Sequence, residues 1–429
     1  MDSKPSGSDH YVTPDQLCVG LYVHLDLSWT QHPFTFSSFK IKDLDQIATI
    51  QGLGLKRVRY TPTKSDGEPL QATAGATSSS VAPTVSREND PAYQAKRNRL
   101  ERLSTQRAKV VGCEKEFLST TRTIKSINQN LFSRPDEVRE QAATLIGAMA
   151  DSMLVDADIA IQLMADKING EDVYFHSLNV TLLSMMLAKE MKAPVAAIKL
   201  LGTGALFHDI GDAEIPDRIV RKMEPWTKAE LSLIHQHCSY GVTIGMKLGL
   251  SAEALLVIAQ HHERIDGSGY PMKLHGAQLS LLSRIVALVN AYDELCNPMN
   301  PAKALTPHEA LSTLYAQQRA QFDTMAMTTF VRCMGVYPPG TIVVLSNGAV
   351  GMVVSVNSTR PLKPTILIYD PSVPKEEAIL VDLEQEPEVS VSKTVKPQQL
   401  PAAAFDYLSP RKRMSYYFNA ETGKVNTPS

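Results

Sequence analysis

The sequence predicts a mainly α-helical protein with a small α/β domain ahead of the helices and a small β appendage behind them. Three observations carry this: helical apolar periodicity with capping signals from about Ile168 to Gly335, a switch to period-two alternation beyond Pro338-Pro339-Gly340, and a short mixed segment at 11–63. The chain has 429 residues, room for roughly two to four domains at about 100–200 residues each.

Residues 11–63 hold an apolar run from Val19 to Leu27, a helical pattern beginning near Asp43 (Leu44, Ile47, Ile50) and a β-like segment at Lys56–Tyr60. From 64 to 90 the chain turns Ala/Ser/Thr/Gly/Pro-rich around Ser78-Ser79-Ser80, a composition that buries too little apolar surface to order itself, so a disordered linker is expected. Residues 91–165 read as a helical connector. Its basic run (Lys96, Arg97, Arg99, Arg102, Arg107, Lys109) reads as a solvated helix face, with a signal-transmitting interdomain helix as the alternative; Leu145, Ile146, Met149 and Met153 form an apolar stripe. The helical core spans 166–335, where Thr227-x-x-Glu230 and Thr306-Pro307-x-Glu309 are capping boxes. At 336–387, Ile342–Leu345 and Val350–Val356 flank the tight-turn pair Asn347-Gly348, and Thr365–Tyr369 adds a third strand. The polar tail at 388–429, with Arg411-Lys412-Arg413, is expected to be mostly flexible.

Composition excludes several classes. With 43 Lys+Arg against 45 Asp+Glu the net charge is -2, so no global basic field holds nucleic acid. The five cysteines (Cys18, Cys113, Cys238, Cys296, Cys333) are scattered and form no C-x-x-C, which fits core fillers in a reducing compartment. No apolar run approaches the roughly 18–20 residues of a membrane span, and the first 20 residues lack signal-peptide character, so a cytoplasmic protein without membrane contact is expected.

Histidine is the informative residue. Six of 11 (His176, His208, His235, His237, His261, His262) crowd into residues 176–262. Asp209 follows His208, and Asp293 sits within the apolar stretch Leu281–Leu295 on one helical face with Val289, Val286 and Ile285. Burying that carboxylate alone costs several kcal/mol, and a metal is the economical compensation. Asp172 and His176 are four apart and share a face, while His208-Asp209 and His261-His262 each end an apolar helix. His235 and His237 point opposite ways, and Gly241 and Gly245 on the His237 face favour His237. Imidazole and carboxylate donors without thiolate suit Fe or Mn, and less specifically Zn or Ni; their number calls for two divalent transition ions, or three. Two ions about 3.5–4 Å apart are a device for phosphoester hydrolysis through a bridging hydroxide, with Asp209 the natural bridging ligand.

His208-Asp209-Ile210-Gly211 with Ile215-Pro216, followed by His261-His262-Glu263-Arg264-x-Asp266-Gly267-Ser268-Gly269-Tyr270-Pro271, resembles the HD-GYP signature. The likeness runs from about Asp172 to Phe330, and residues 11–63 resemble the small domain of unknown function that often precedes HD-GYP modules in bacteria. The resemblance implies an HD-type helical bundle, a phosphodiesterase that opens cyclic di-GMP to pGpG and then to GMP, and a binuclear or trinuclear Fe or Mn centre. His176, His208, Asp209, His237, His261, His262 and Asp293 match the family's metal ligands; Asp172 stands where some members place a Glu for a third metal, or is a first-turn carboxylate. Within the family motif a lysine meets substrate phosphate where this chain has Asp212, an anion in place of a cation. Lys222 is the nearest replacement as a catalytic cation. Arg284 is a phosphate contact or a structural ion-pair residue, and Lys303 is the one cation in Cys296–Lys303, where the family has an Arg-Pro-Tyr segment.

The loop Asp266–Pro271 permits close backbone approach, with Gly269 and the Tyr270 ring as substrate contacts. By resemblance it also meets diguanylate cyclase-type signalling proteins, and a homodimer is compatible with the sequence. The expected ligand is cyclic di-GMP. Two rivals stay open: a catalytically weak receptor for a cyclic dinucleotide or a partner, favoured by Asp212, and a phosphodiesterase for another cyclic dinucleotide.

Overall fold

The computed structural model describes residues 10–71 apart from 28–31 and 35, positions 101, 104 and 112, then 115–155, 161–163, 172–408 apart from 357–359, 372, 374, 376 and 377, and 416–418. The basic run at 96–109, residues 72–90 of the expected linker and the cluster at 411–413 lie outside the described residues. The chain divides into two units: 1–107 with 346–349 and 369–379, and the remainder.

In the first unit four antiparallel strands, β1 (His10–Val12), β2 (Tyr22–His24), β3 (Ser38–Lys40) and β4 (Val58–Tyr60), form a sheet in the order β1-β4-β2-β3. Helix α1 (Leu44–Gly52) starts where Asp43 accepts the amide of Gln46, satisfying a first-turn donor that the helix leaves open. Ile47 and Ile50 bury against Val12, Leu21, Val23 and Val58, whereas Leu44, one turn earlier, is 75% exposed. Residues 65–71 depart from the expected linker: the amides of Asp66 and Leu70 donate to Gly20 and Gln16, so the chain still follows the domain there.

The second unit is helical: α2 (Pro135–Val155), α3 (Asp172–Glu190), α4 (Val195–Leu206), α5 (Asp217–Val220), α6 (Lys228–Ile234), α7 (His237–Lys247), α8 (Ala252–Gln260), α9 (Leu281–Cys296), α10 (Pro307–Gln317) and α11 (Thr324–Met334). Residues 177–188 of α3 are buried on every face, as a helix must be when α4, α9 and α11 surround it. Both predicted capping boxes are present, at α6 and α10. Close approach between elements rests on glycine. A Cβ at Gly204 would lie 2.6 Å from Val257, and one at Gly241 would lie 2.7 Å from Ile258. At Gly211, in the turn Ile210–Glu214, a Cβ would collide with the His237 carbonyl and Gly241 amide, which brings the segment after His208 onto the start of α7.

Strands β6 (Ile342–Leu345) and β7 (Val350–Val356) form the predicted hairpin, with Gly348 at φ 86° in its turn. With β5 (Ile161–Leu163), β10 (Val391–Val395) and β11 (Tyr416–Phe418) they belong to a seven-stranded sheet ordered β10-β6-β7-β5-β11, with β8 (Thr365–Ile368) on β7 and β9 (Ile379–Asp382) on β8. Two expectations are corrected here. The stretch 91–165, read as all helical, contains β5 (Ile161–Leu163), and the tail read as flexible contains β10 (Val391–Val395), α12 (Ala402–Leu408) and β11 (Tyr416–Phe418). These strands have three to five residues, too few for alternation to show, and β10 is held by backbone pairing to β6 with its own side chains largely outside the core. No helix among the described residues is long and apolar enough to cross a membrane.

The glycine contacts yield an opposed pair of outcomes. Gly211→Ala should cost about 1–3 kcal/mol because backbone, not a flexible side chain, blocks the new methyl. Gly147→Ala, in the interior of α2 with nothing within 4 Å of the added carbon, should stabilise by about 0.4–1 kcal/mol. Thermal unfolding of the two variants checks both signs; a neutral Gly211→Ala would contradict the packing.

Candidate metal centre

The polar cluster forms where helices begin or end. His176 lies in the second turn of α3, His208-Asp209 follow α4, His237 opens α7, and His261-His262 follow α8. The last carbonyls of a helix have no intrahelical donor, and three of these histidines use them. Nδ1 of His208 donates to Ala205 O at 2.7 Å, Nδ1 of His237 to Ile234 O at 2.6 Å, and Nδ1 of His261 to Ile258 O at 2.8 Å. Each accepting carbonyl belongs to the last turn of the helix before it. In His176 the same nitrogen donates to Asp293 Oδ2 at 2.7 Å. A carbonyl or carboxylate oxygen facing Nδ1 assigns the proton to that nitrogen and leaves Nε2 as a bare lone pair.

Those lone pairs face one another. Nε2 of His176 is 3.1 Å from Nε2 of His208, and Nε2 of His237 is 3.0 Å from Nε2 of His261. Two unprotonated nitrogens at that distance repel unless positive charge lies between them, so a cation fits the residues present. Asp209 faces both pairs: Oδ2 is 3.0 Å from His208 and 3.4 Å from His176, while Oδ1 is 3.3 Å from His261 and 3.6 Å from His237. Two groups that could hold a metal ion result, His176 with His208 and Asp209, and Asp209 with His237, His261 and His262.

The electrostatics favour ligand-ready protonation at Asp209, His261 and His262. Burial pushes the Asp209 carboxyl up, but His208 and the hydrogen bonds of its imidazole neighbours outweigh this and hold it well below the usual range. Burial lowers His261 to about 4, and burial together with His261 and His237 holds His262 well below its ordinary value, so both are neutral near pH 7. At His176 burial opposes charge, yet the hydrogen bonds to Asp209 and Asp293 raise the pKa well above the ordinary value, so positive charge is favoured at this imidazole. Cys238 Sγ is 3.5 Å from His237 Nε2, but burial raises the thiol pKa and keeps it protonated.

Several sequence expectations are redistributed. Fully buried Asp293 stands behind His176, outside both ligand groups: Oδ2 takes the His176 proton, and Oδ1 accepts Asn179 Nδ2 at 2.7 Å and Asn297 Nδ2 at 3.0 Å. Asp172 is the first residue of α3, and its side chain lies outside the described residues. Lys222, expected as the replacement cation, pairs with Glu230 at 2.7 Å next to the α6 cap. Arg284 has a structural place, with donors on Asp323 Oδ2, Gly276 O and Leu279 O. Lys303 is exposed in the turn Pro301–Lys303. Gly269 is buried against the backbone of 262–264, where a Cβ would collide with the Arg264 amide, and the Tyr270 ring is covered by histidine rings on both faces. Asp212 is half-buried, and its carboxyl is pushed up to about 7 by burial and then by Asp209.

Two residues escaped sequence reasoning. Glu263 is fully buried and accepts the amides of Met272 at 2.6 Å and Leu274 at 3.0 Å, fixing the exit of the 266–271 loop; a carboxylate directly after two adjacent histidines was the available signal. His235, set aside in favour of His237, stacks on Tyr270.

Matches to known protein families follow the same order along the chain. Residues 132–325 match a family described as an HD domain, residues 11–142 a domain of unknown function (DUF3391), and residues 342–403 a KOW domain associated with HD domains. A cyclic di-GMP phosphodiesterase of Pseudomonas aeruginosa is 27% identical over 358 residues, 82% of this chain and 83% of the relative. A 3'3'-cGAMP-specific phosphodiesterase of Vibrio cholerae is 35% identical over 174 residues, 40% of each chain. Among solved structures, an HDG"Y"P protein from Bdellovibrio bacteriovorus aligns with TM-score 0.40 and 15% identity, covering 75% of this chain and 98% of that one.

Asp212 generates a pH signature in the metal-free protein. Its folded pKa of about 7 lies above the ordinary 3.8, so the folded state holds this proton more tightly, and stability falls as pH rises through that window. Asp212→Asn removes the effect. The Tm difference, variant minus wild type, should grow from pH 4 to about 7 and level off above; a difference that is flat with pH would contradict the assignment.

Proposed function

We propose, from the match of residues 132–325 to an HD domain, with DUF3391 before it and a KOW domain after it, that the chain is a metal-dependent phosphodiesterase that hydrolyses cyclic di-GMP to pGpG and onward to GMP. The observation that carries the reading is Asp209, which turns one oxygen to each of two imidazole groups whose lone pairs face inward. The names of the relatives support the substrate class, a cyclic dinucleotide.

In this reading His176, His208 and Asp209 hold one cation and Asp209, His237, His261 and His262 hold a second, with Asp172 in sequence reach of a third. Nitrogen and oxygen donors beside a protonated thiol support Fe or Mn. Two bound divalent cations supply charge neutralisation at the phosphodiester and acidify water at neutral pH. The chain's own residues do the rest. Asp209 shares one negative charge between the two groups, Asp293 fixes the His176 tautomer and raises its basicity, and the i−3 carbonyls aim the other imidazoles. Asp212 leaves the phosphate without the lysine that the family motif offers. With Lys222 and Arg284 engaged elsewhere, Lys303 is the remaining proposed cation for substrate phosphate.

That same Asp212 favours a second reading, a receptor that binds the dinucleotide and turns it over poorly, because a carboxylate here repels phosphate.

Protein loaded anaerobically with Mn or Fe should convert cyclic di-GMP to pGpG, and Asp209→Asn should cut the rate by about 10³-fold, the equivalent of several kcal/mol of transition-state charge stabilisation. Parallel assays with 3'3'-cGAMP and cyclic di-AMP test the choice of substrate. Absence of turnover in fully loaded protein would contradict the enzyme reading, and a large gain in hydrolysis for Asp212→Lys over a near-silent parent would establish the receptor.

A further inference from the structure

Four of the five histidines around Asp209 have their rings fixed by a hydrogen bond at Nδ1. His262 does not. Among the described residues its nearest carboxylate oxygen, Glu294 Oε1, is 4.0 Å from Nδ1, and neither ring nitrogen has a hydrogen bond. A ligand imidazole without an outer partner is free to rotate about its side-chain bonds, which weakens metal binding. The structure supplies a different restraint. The phenol of Tyr270 lies parallel to the His262 ring, with centroids 4.5 Å apart and planes 18° apart, and the other face of the phenol is covered by His235, at 3.7 Å and 13°.

Both rings that stack beyond His262, Tyr270 and His235, are tied down through their backbone. Tyr270 N donates to His262 O at 3.2 Å, and the following chain is held through the amides of Met272 and Leu274 on Glu263. His235 caps the end of α6, two residues before the ligand His237. The stack therefore joins the α6–α7 junction to the 266–271 loop, with His262 at its inner end. It also fills both faces of Tyr270, so a nucleobase finds no open face of that ring.

We propose that His235 is a positioning residue for His262, acting through Tyr270: the stack takes the place of the missing Nδ1 hydrogen bond and sets the angle at which His262 presents a ring nitrogen to the second cation. This rests on the metal-centre reading above.

The test is stepwise Co(II) titration of the full-length metal-free protein, following the d–d absorption and bound equivalents, with thermal unfolding in parallel. Wild type should bind two equivalents. In His235→Ala the first should bind as in wild type and the second about tenfold or more weakly, within the range seen when an outer partner of a ligand is removed. His235→Phe, which keeps a flat ring over the phenol, should restore the second step, and Tyr270→Leu should reproduce the loss whether or not His235→Ala folds. A second step unchanged in His235→Ala and Tyr270→Leu, or both steps weakened equally, would overturn the positioning role while leaving the metal centre intact. Fewer than two equivalents in wild type would overturn the metal-centre reading itself, and this inference with it.

Discussion

The constraint on which the rest of the structure depends is the crowding of unprotonated imidazole nitrogens around one carboxylate. His208, His237 and His261 each follow a helix end and give their Nδ1 proton to a carbonyl of the last turn. A group that every helix leaves unsatisfied thereby becomes the device that orients a ligand. The outcome is two pairs of lone pairs about 3 Å apart, an arrangement that is unfavourable in itself and becomes favourable once positive charge enters. At His176 burial opposes charge, yet Asp209 and Asp293 raise its pKa, so positive charge is favoured there.

Packing serves that constraint. Gly211 lets the turn after Asp209 lie on the start of α7, and Gly241 lets α7 lie on α8, so three histidine-bearing helix ends meet without side chains between them. Asp293 is fully buried, and it is tolerated because three donors (His176, Asn179 and Asn297) share its two oxygens. Such a network is well satisfied only as a whole, and that holds α3 and α9 in fixed register at the site.

The sequence was most legible where chemistry and spacing coincide. His208-Asp209 and His261-His262 could be placed at helix ends from apolar periodicity, and Gly241 and Gly245 separated His237 from His235 correctly as to which one faces Asp209. Spacing does not report what occupies the remaining hydrogen-bond capacity. Asp293 reads as a ligand in the sequence because a buried carboxylate needs compensation; the structure shows that Asn179, one turn along from His176, supplies part of that compensation. Arg284 and Lys222 looked like phosphate contacts because they are cations near the motif, yet Asp323 and Glu230, 39 and 8 residues away, engage them. His235 was set aside for pointing away from the cluster, and its contact is with a loop residue 35 positions on, which no local period encodes. The short strands β5, β10 and β11 were missed for a related reason: backbone pairing across long sequence separations creates them, and their side chains carry little pattern.

Asp209 as a ligand common to two cations is the central claim, and electron paramagnetic resonance of protein loaded with Mn(II) tests it most directly. A carboxylate between the two groups predicts an exchange-coupled pair, with a multiline spectrum that collapses to isolated six-line signals in Asp209→Asn. An uncoupled six-line spectrum from the fully loaded wild type would show that the cations do not share Asp209, and the account would fail at its base.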